Sequence, residues 1–273
     1  MAEEFKQKLE ASDLSPNTQY IYNNEVKKYL KENKNLNRFE DEEGMKKYIE
    51  EHYKTLNQQN QMAKTAIKWR QLNGLTTEIL SEFLSKNVRD YTSGLNTKYE
   101  TEDSGLPTIK EHDTYVNDLF KKKKYREYVI NKLIEKYQVR NKDLDLTVTR
   151  DKNDIDDKQN WLLIGKKTKS AYMVTYVRNN YKTANTYGVK KNILRLGENT
   201  KLFQAIDEIA KSDQPHLIIE KNLSYAVLKA TNGIGEGKLF KMYVKNASFK
   251  DAKKMSDNRG TDLQTISKFY DIK

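Results

Sequence analysis

Apolar residues return at helical spacing along the first part of the chain. Tyr20, Ile21, Val26, Tyr29 and Leu30 share one side of a helix that Ser15 is placed to cap and Pro16 to begin. Asp41-Glu42-Glu43 opens another, with Met45, Tyr48, Ile49 and Tyr53 on one side. Met62, Ala66, Ile67 and Trp69 mark a third. Thr76-Thr77-Glu78 starts a fourth, with Ile79, Leu80, Phe83, Leu84 and Val88 on its expected buried side. Lysines fall mostly between the apolar positions, as a solvated or phosphate-facing surface requires. These elements predict a helical domain over residues 1–93.

The period lapses between Tyr91 and Pro107. Ser93-Gly94, the acidic stretch at 100–103 and Ser104-Gly105-Leu106-Pro107 follow one another there, so residues 94–108 read as a linker. Beyond it the texture changes. Tyr115 to Tyr137 reads as one helix, with Leu119, Phe120, Tyr128, Val129, Leu133 and Ile134 as core candidates and the run Lys121, Lys122, Lys123, Lys124 inside it. Strand-like runs follow at Leu144–Val148, Trp161–Ile164, Ala171–Val177 and Val189–Leu196, with turn chemistry at Asn185-Thr186-Tyr187-Gly188. Helices return at Leu202–Ala210, Leu223–Ala230 and Leu239–Ala247, and in a last segment holding Leu263, Ile266 and Tyr270. The expected fold class is mainly α with a small antiparallel β-sheet (α+β), the second domain covering residues 109–273.

Composition narrows the chemistry. The absence of cysteine rules out disulfides, thiolate zinc sites and cysteine nucleophiles. His52, His112 and His216 lie far apart and lack metal-ligand spacing. No metal and no cofactor is expected. Lys+Arg outnumber Asp+Glu by 50 to 39, and the formal charge of +11 favours a polyanionic partner, nucleic acid first. No apolar run approaches the ~18–20 residues that span a bilayer. The start MAEEFKQKLE lacks the apolar stretch of a secretory signal. A soluble, intracellular protein without a membrane partner is expected; nucleus, cytoplasm and virion stay open.

Four stretches carry candidate chemistry. Arg140, with Asn141 and Asp143 after it, ends a helix just before a strand. Lys182, in Asn180-Tyr181-Lys182-Thr183, lies beside a turn between strands. Lys238 and Lys241 are three apart, hence on one helical face. Arg259-Gly260-Thr261 precedes Tyr270 near the C-terminus. Cations and one tyrosine suffice for phosphoryl transfer from DNA. The tyrosine oxygen attacks the phosphodiester and forms a 3′-phosphotyrosine link. Arginines neutralise the non-bridging oxygens, and a lysine protonates the departing 5′ oxygen.

The order of these stretches resembles that of the tyrosine recombinases and integrases, particularly the divergent integrase-like proteins of large DNA viruses and mobile elements. The resemblance covers most of the chain. Ser15-Pro16-Asn17-Thr18 through Leu30 looks like the opening of their helical core-binding domain. Gly105-Leu106-Pro107-Thr108-Ile109 looks like the entry to their catalytic domain. Arg140 matches the first catalytic arginine, and Tyr181-Lys182-Thr183 the β-hairpin lysine. Lys238-x-x-Lys241 falls where the family has His/Lys-x-x-Arg, Thr261 where it has His or Trp, and Tyr270 at the nucleophile's spacing. The resemblance implies a clamp of two domains on double-stranded DNA, cleavage and rejoining of strands without cofactor, and DNA-dependent assembly as a homo-tetramer. Arg140 and Lys241 would hold the scissile phosphate, Lys182 would be the general acid, and Lys238 and Thr261 would assist. Lys121, Lys122, Lys123, Lys124 and Arg259 would contact DNA.

The sequence departs from the family at two positions. Lys241 keeps the charge of the second arginine and loses its planar two-point grip. Thr261 donates one hydrogen bond and does not titrate near neutrality. Plainer readings stand beside the catalytic ones. Arg140 can cap a helix or pair with Asp143, Lys182 can be an exposed hairpin lysine, Lys238 and Lys241 a solvated face, and Tyr270 a core anchor. The corresponding alternatives are a catalytically impaired DNA-binding protein on the same fold, used for packaging, site marking or regulation; a type IB topoisomerase-like enzyme; and a basic structural protein with no DNA role.

Overall fold

A computed structural model describes residues 2–33, 35–102, 105–165, 173–195, 197 and 200–261. The chain divides into two compact units, Met1–Asp103 and Ser104–Lys273. It is mainly helical with one small four-stranded sheet, the α+β class. Among the described residues no helix is long and apolar enough to cross a membrane.

The first unit holds α1 (Ala2–Glu10), α2 (Pro16–Glu32), α3 (Asn37–Glu40), α4 (Glu42–His52), α5 (Leu56–Leu72) and α6 (Glu78–Glu102). Ser15 caps α2 by accepting the Thr18 N–H, and Pro16 supplies its first position without losing a needed donor. Asp41 and Thr55 cap α4 and α5 in the same way. The core is built on Tyr29, which meets Phe39 and Tyr48 edge-on, with Trp69 edge-on to Phe39. Phe5, Val26, Ile49, Met62 and Leu80 fill in around them. Arg70 is buried in this core. Its guanidinium donates to the carbonyls of Phe39, Glu40 and Thr76 and pairs with Glu42, whose carboxylate also accepts the Leu80 N–H.

Two expectations for this unit change. Residues 94–102, read as linker, continue α6 as helix to Glu102; acidic and small residues do not stop a helix that lacks proline. Val88, read as core, is exposed. Helix α1 went unread, because only Phe5 and Leu9, one turn apart, mark its buried side.

The second unit opens with α7 (Ile109–Lys121) and α8 (Tyr125–Tyr137). Thr108 and Glu111 form a reciprocal capping box at the start of α7. The single helix expected over 115–137 is broken at Lys122–Lys124, where Lys123 takes a left-handed φ of 57°. Lys121 ends α7, and Lys122–Lys124 form the turn between the two helices. Strands β1 (Leu146–Thr149), β2 (Asn160–Ile164), β3 (Met173–Arg178) and β4 (Lys190–Arg195) follow, with a short helix α9 (Ala184–Tyr187) between the last two. Strands β2, β3 and β4 are antiparallel as expected. β1 pairs with β2 in parallel, so the sheet is mixed. The loop at 150–159 supplies the crossover that a parallel neighbour requires. The outer edge of β1 is covered by residues 215–217 through Val148 N–H to Pro215 O (2.7 Å) and Leu217 N–H to Leu146 O (3.0 Å).

Helices α10 (Thr200–Ala210), α11 (Leu223–Ala230), α12 (Glu236–Lys245) and α13 (Phe249–Arg259) complete the described fold. The buried helix α8 touches α7, α10, α11, α12 and α13. Its Val129, Leu133 and Ile134 join Leu144, Leu162, Tyr176, Ile206, Val227 and Leu239 in one core. The last expected helix, with Leu263, Ile266 and Tyr270, lies outside the described residues.

His112, on α7, is buried, with the rings of Tyr115 and Tyr243 each at 6.2 Å. Neither ring nitrogen hydrogen-bonds a described residue. Burial holds its pKa below the usual 6.5; Asp113 opposes that shift and Lys132 adds to it. The unfolded chain therefore takes up a proton that the folded chain refuses, so stability is lost as pH falls below 6.5. His112→Leu is expected to flatten this acid-side loss, measured as the urea midpoint at neutral and mildly acidic pH. An unchanged pH dependence would contradict it.

Candidate functional site

The last turn of α13 is where the candidate stretches meet. A helix end leaves its final carbonyls without intrahelical partners, and here donors from distant parts of the unit supply them. Lys190 Nζ donates to Asp257 O (2.5 Å) and Asn258 O (3.1 Å). Arg178 Nη1 donates to Asn258 O (3.1 Å). Arg140 Nη1 donates to Arg259 O (2.7 Å), and its Nη2 to Thr261 Oγ1 (2.7 Å). Thr183 Oγ1 lies 3.5 Å from Gly260 O. Cations are favoured at this negative end of the helix dipole.

Gly260 is required at the crossing. Its φ is +62°, and a Cβ there would lie 2.6 Å from Thr183 Oγ1 and 3.4 Å from Lys190 Nζ. Ser256 Oγ closes the turn on Thr261 O.

Each side chain is positioned by the element that carries it. Arg140 follows the left-handed cap Gln138 of α8 (φ 49°) and starts the 3-10 turn Asn141–Leu144. Its backbone N–H donates to Asp143 Oδ2 (3.2 Å). Gln138 also ties the ends of α8 and α13 together: its carbonyl accepts from Arg259 (3.2 Å) and its amide oxygen from Asn258 (3.0 Å). Arg178, at the end of β3, is 1 % exposed, as is Asp143, and the two pair at 3.4 Å. Arg178 also donates to Asn192 Oδ1 (3.1 Å) on β4. Tyr176 OH donates to Asp143 O (2.7 Å), and full burial pushes its phenol far above the ordinary range.

The expected site residues separate into distinct groups. Arg140 and Thr261 are hydrogen-bonded to each other. Lys182 is exposed on the turn after β3 and makes no hydrogen bond or ion pair with a described residue, while its neighbour Thr183 reaches Gly260. Lys238 is exposed and Lys241 buried, so the pair is not one solvated face. Their helix α12 joins the cluster through Arg259, which pairs with Glu236 at 2.9 Å and stacks on Phe240 at 4.2 Å. Arg259, expected among the DNA contacts, is thus turned inward; its guanidinium holds α12 and α8 against α13. Lys121 pairs with Asp118 at 3.1 Å within the last turn of α7, and Lys122, Lys123 and Lys124 are exposed in the turn before α8. Tyr270 lies outside the described residues.

Arg178 and Lys190 were missed by the motif reading. Period two carried a signal for both. Arg178 shares the inward face of β3 with Val174 and Tyr176, and Lys190 that of β4 with Leu194. A cation in a buried phase demands partners.

The cluster presents cations and hydroxyls around one carbonyl-rich helix end. Such an array can bind an anion, neutralise charge that develops on it, and move a proton through a lysine. Among the described residues, no group of three or more His, Cys, Asp or Glu side chains is arranged to hold a metal ion. The chain matches no protein-family model, and no curated protein matches it in sequence.

Proposed function

We propose that the chain is a DNA-binding protein of the tyrosine-recombinase type, which cleaves and rejoins strands through a 3′-phosphotyrosine intermediate on Tyr270. The supporting observation is convergence. The stretches around Arg140, Thr183, Glu236–Phe240 and Arg259–Thr261 are far apart in sequence, yet they meet at the last turn of α13. In this reading Arg140 and Thr261 hold the scissile phosphate. A lysine of the segment between β3 and β4 protonates the leaving oxygen, and the basic surface supplies sequence-independent affinity. Assembly into a homo-oligomer on DNA belongs to the same proposal.

A second reading, DNA binding without cleavage, is favoured by the burial of Lys241, which stands where a phosphate-gripping arginine is expected. The type IB topoisomerase-like alternative shares the chemistry and differs in relaxing supercoiled plasmid as a monomer.

Duplex binding across a salt series tests the part common to these readings. Affinity is expected to fall linearly on logarithmic axes. Arg140→Ala should weaken it across all sequences and reduce the salt slope by about 1. Absent or salt-insensitive binding would overturn the proposal in favour of a basic structural protein.

A further inference from the structure

We infer that the outer edge of β4 docks an acidic β-strand of a partner protein, which pairs antiparallel and extends the sheet. The inference does not depend on the function proposed above. The sheet has two outer strands, β1 and β4. Residues 215–217 bond the far side of β1. Among the described residues, no strand or bridge meets the far side of β4.

The register shows which backbone groups that edge offers. Gly165 N–H donates to Met173 O (2.9 Å), so Met173 turns its backbone groups toward β2. The period of two turns those of Val174, Tyr176 and Arg178 toward β4, where they meet Leu194, Asn192 and Lys190. The N–H and C=O groups of Lys191, Ile193 and Arg195 therefore point away from the sheet. Pairing with β3 is unbroken over all six residues, and β4 holds no proline, so its backbone does not bar a new neighbour.

The side chains name the neighbour. Val189, Lys191, Ile193 and Arg195 alternate apolar and cationic along one face. Val189 and Ile193 are 56 % and 59 % exposed, and Met173, opposite Arg195 on β3, is exposed beside them. A second copy of β4 fits badly. Centred on Ile193, antiparallel pairing sets Lys191 against the second copy's Arg195; centred on Lys191, it sets lysine against lysine. Like charges directly opposite are destabilising. The register between these sets each cation against an apolar side chain. A strand that alternates acidic and β-branched residues answers every position.

The probe is the blocked, fluorescein-labelled peptide Glu-Thr-Val-Thr-Glu-Thr-Val, whose Glu, Val, Glu and Val face Arg195, Ile193, Lys191 and Val189. Fluorescence anisotropy with the full chain is expected to show binding about tenfold tighter than for the same peptide with Lys in place of Glu. Lys191→Glu combined with Arg195→Glu should invert that preference. N-methylation of the peptide tests the edge without altering the protein. Methyl groups on the central Val and Glu, whose N–H groups face β4, should weaken binding about tenfold or more, and methyl groups on the Thr residues should change it less than about threefold. Equal binding of both peptides, or equal loss from either methylation, would reduce the contact to unspecific adhesion and overturn the inference. So would a dimer in sedimentation that Ile193→Asp dissolves, which assigns the edge to a second copy. No peptide bound, with duplex binding weakened by Lys191→Glu, would assign it to DNA and overturn it as well.

Discussion

Arg178→Met is expected to destabilise the second unit by about 3–5 kcal/mol, the range for removing one partner of a buried ion pair. Asp143 and Arg178 are each 1 % exposed, so no water replaces the lost guanidinium. The variant leaves a buried carboxylate whose remaining partner is the Arg140 N–H, and also removes donors to Asn258 O and Asn192. Urea unfolding reads the cost. The chain has 2 tryptophans, Trp69 in the first unit and Trp161 in the second, so a Trp69→Phe background lets Trp161 report the second unit alone. Adding Asp143→Asn should recover part of the loss, because the two residues share one network. A shift below about 1 kcal/mol would mean that the pair is incidental, since breaking a true buried pair costs several times more.

Arg140→Ala is expected to slow covalent adduct formation by ~10²–10³, the usual effect of removing one preorganised donor from developing charge. Its guanidinium also holds Arg259 O and Thr261 Oγ1, so the variant loses phosphate neutralisation and loosens the chain leading to Tyr270. Arg140→Lys should recover only part of the rate, because an ammonium cannot span both acceptors in one plane. Single-turnover adduct formation at saturating DNA separates the rate from binding. A rate within a few-fold of wild type for Arg140→Ala would remove this residue from the site.

Much of the fold was legible because its signals are local. Ser15-Pro16 starts α2 where the capping pattern puts it, and α11 spans the stretch read from Leu223 to Ala230. Helix α13 was not legible. Its buried side consists of Ala252, Ser256 and Arg259, so no apolar stripe marks it. The break in the lysine run was equally hidden, since Lys123 takes its left-handed turn without glycine or proline nearby. The site was legible as far as motif order reached. Arg140 and Thr261 were both named from sequence, and they touch. Arg178 and Lys190 escaped because their role comes from tertiary partners on α13, a helix the pattern did not reveal. Arg259 was read as a DNA contact because the sequence does not show Glu236 and Phe240 waiting for it.

The central claim is covalent chemistry on DNA, and its most direct test is a denaturing gel. Nicked suicide duplexes trap a phosphotyrosyl intermediate, because the short 5′ product diffuses away and cannot rejoin. Wild-type protein is expected to give a protein–DNA band that survives denaturation and is absent with Tyr270→Phe. Tight, salt-sensitive binding by the wild type with no such band would contradict the claim and leave a DNA-binding protein without strand cleavage.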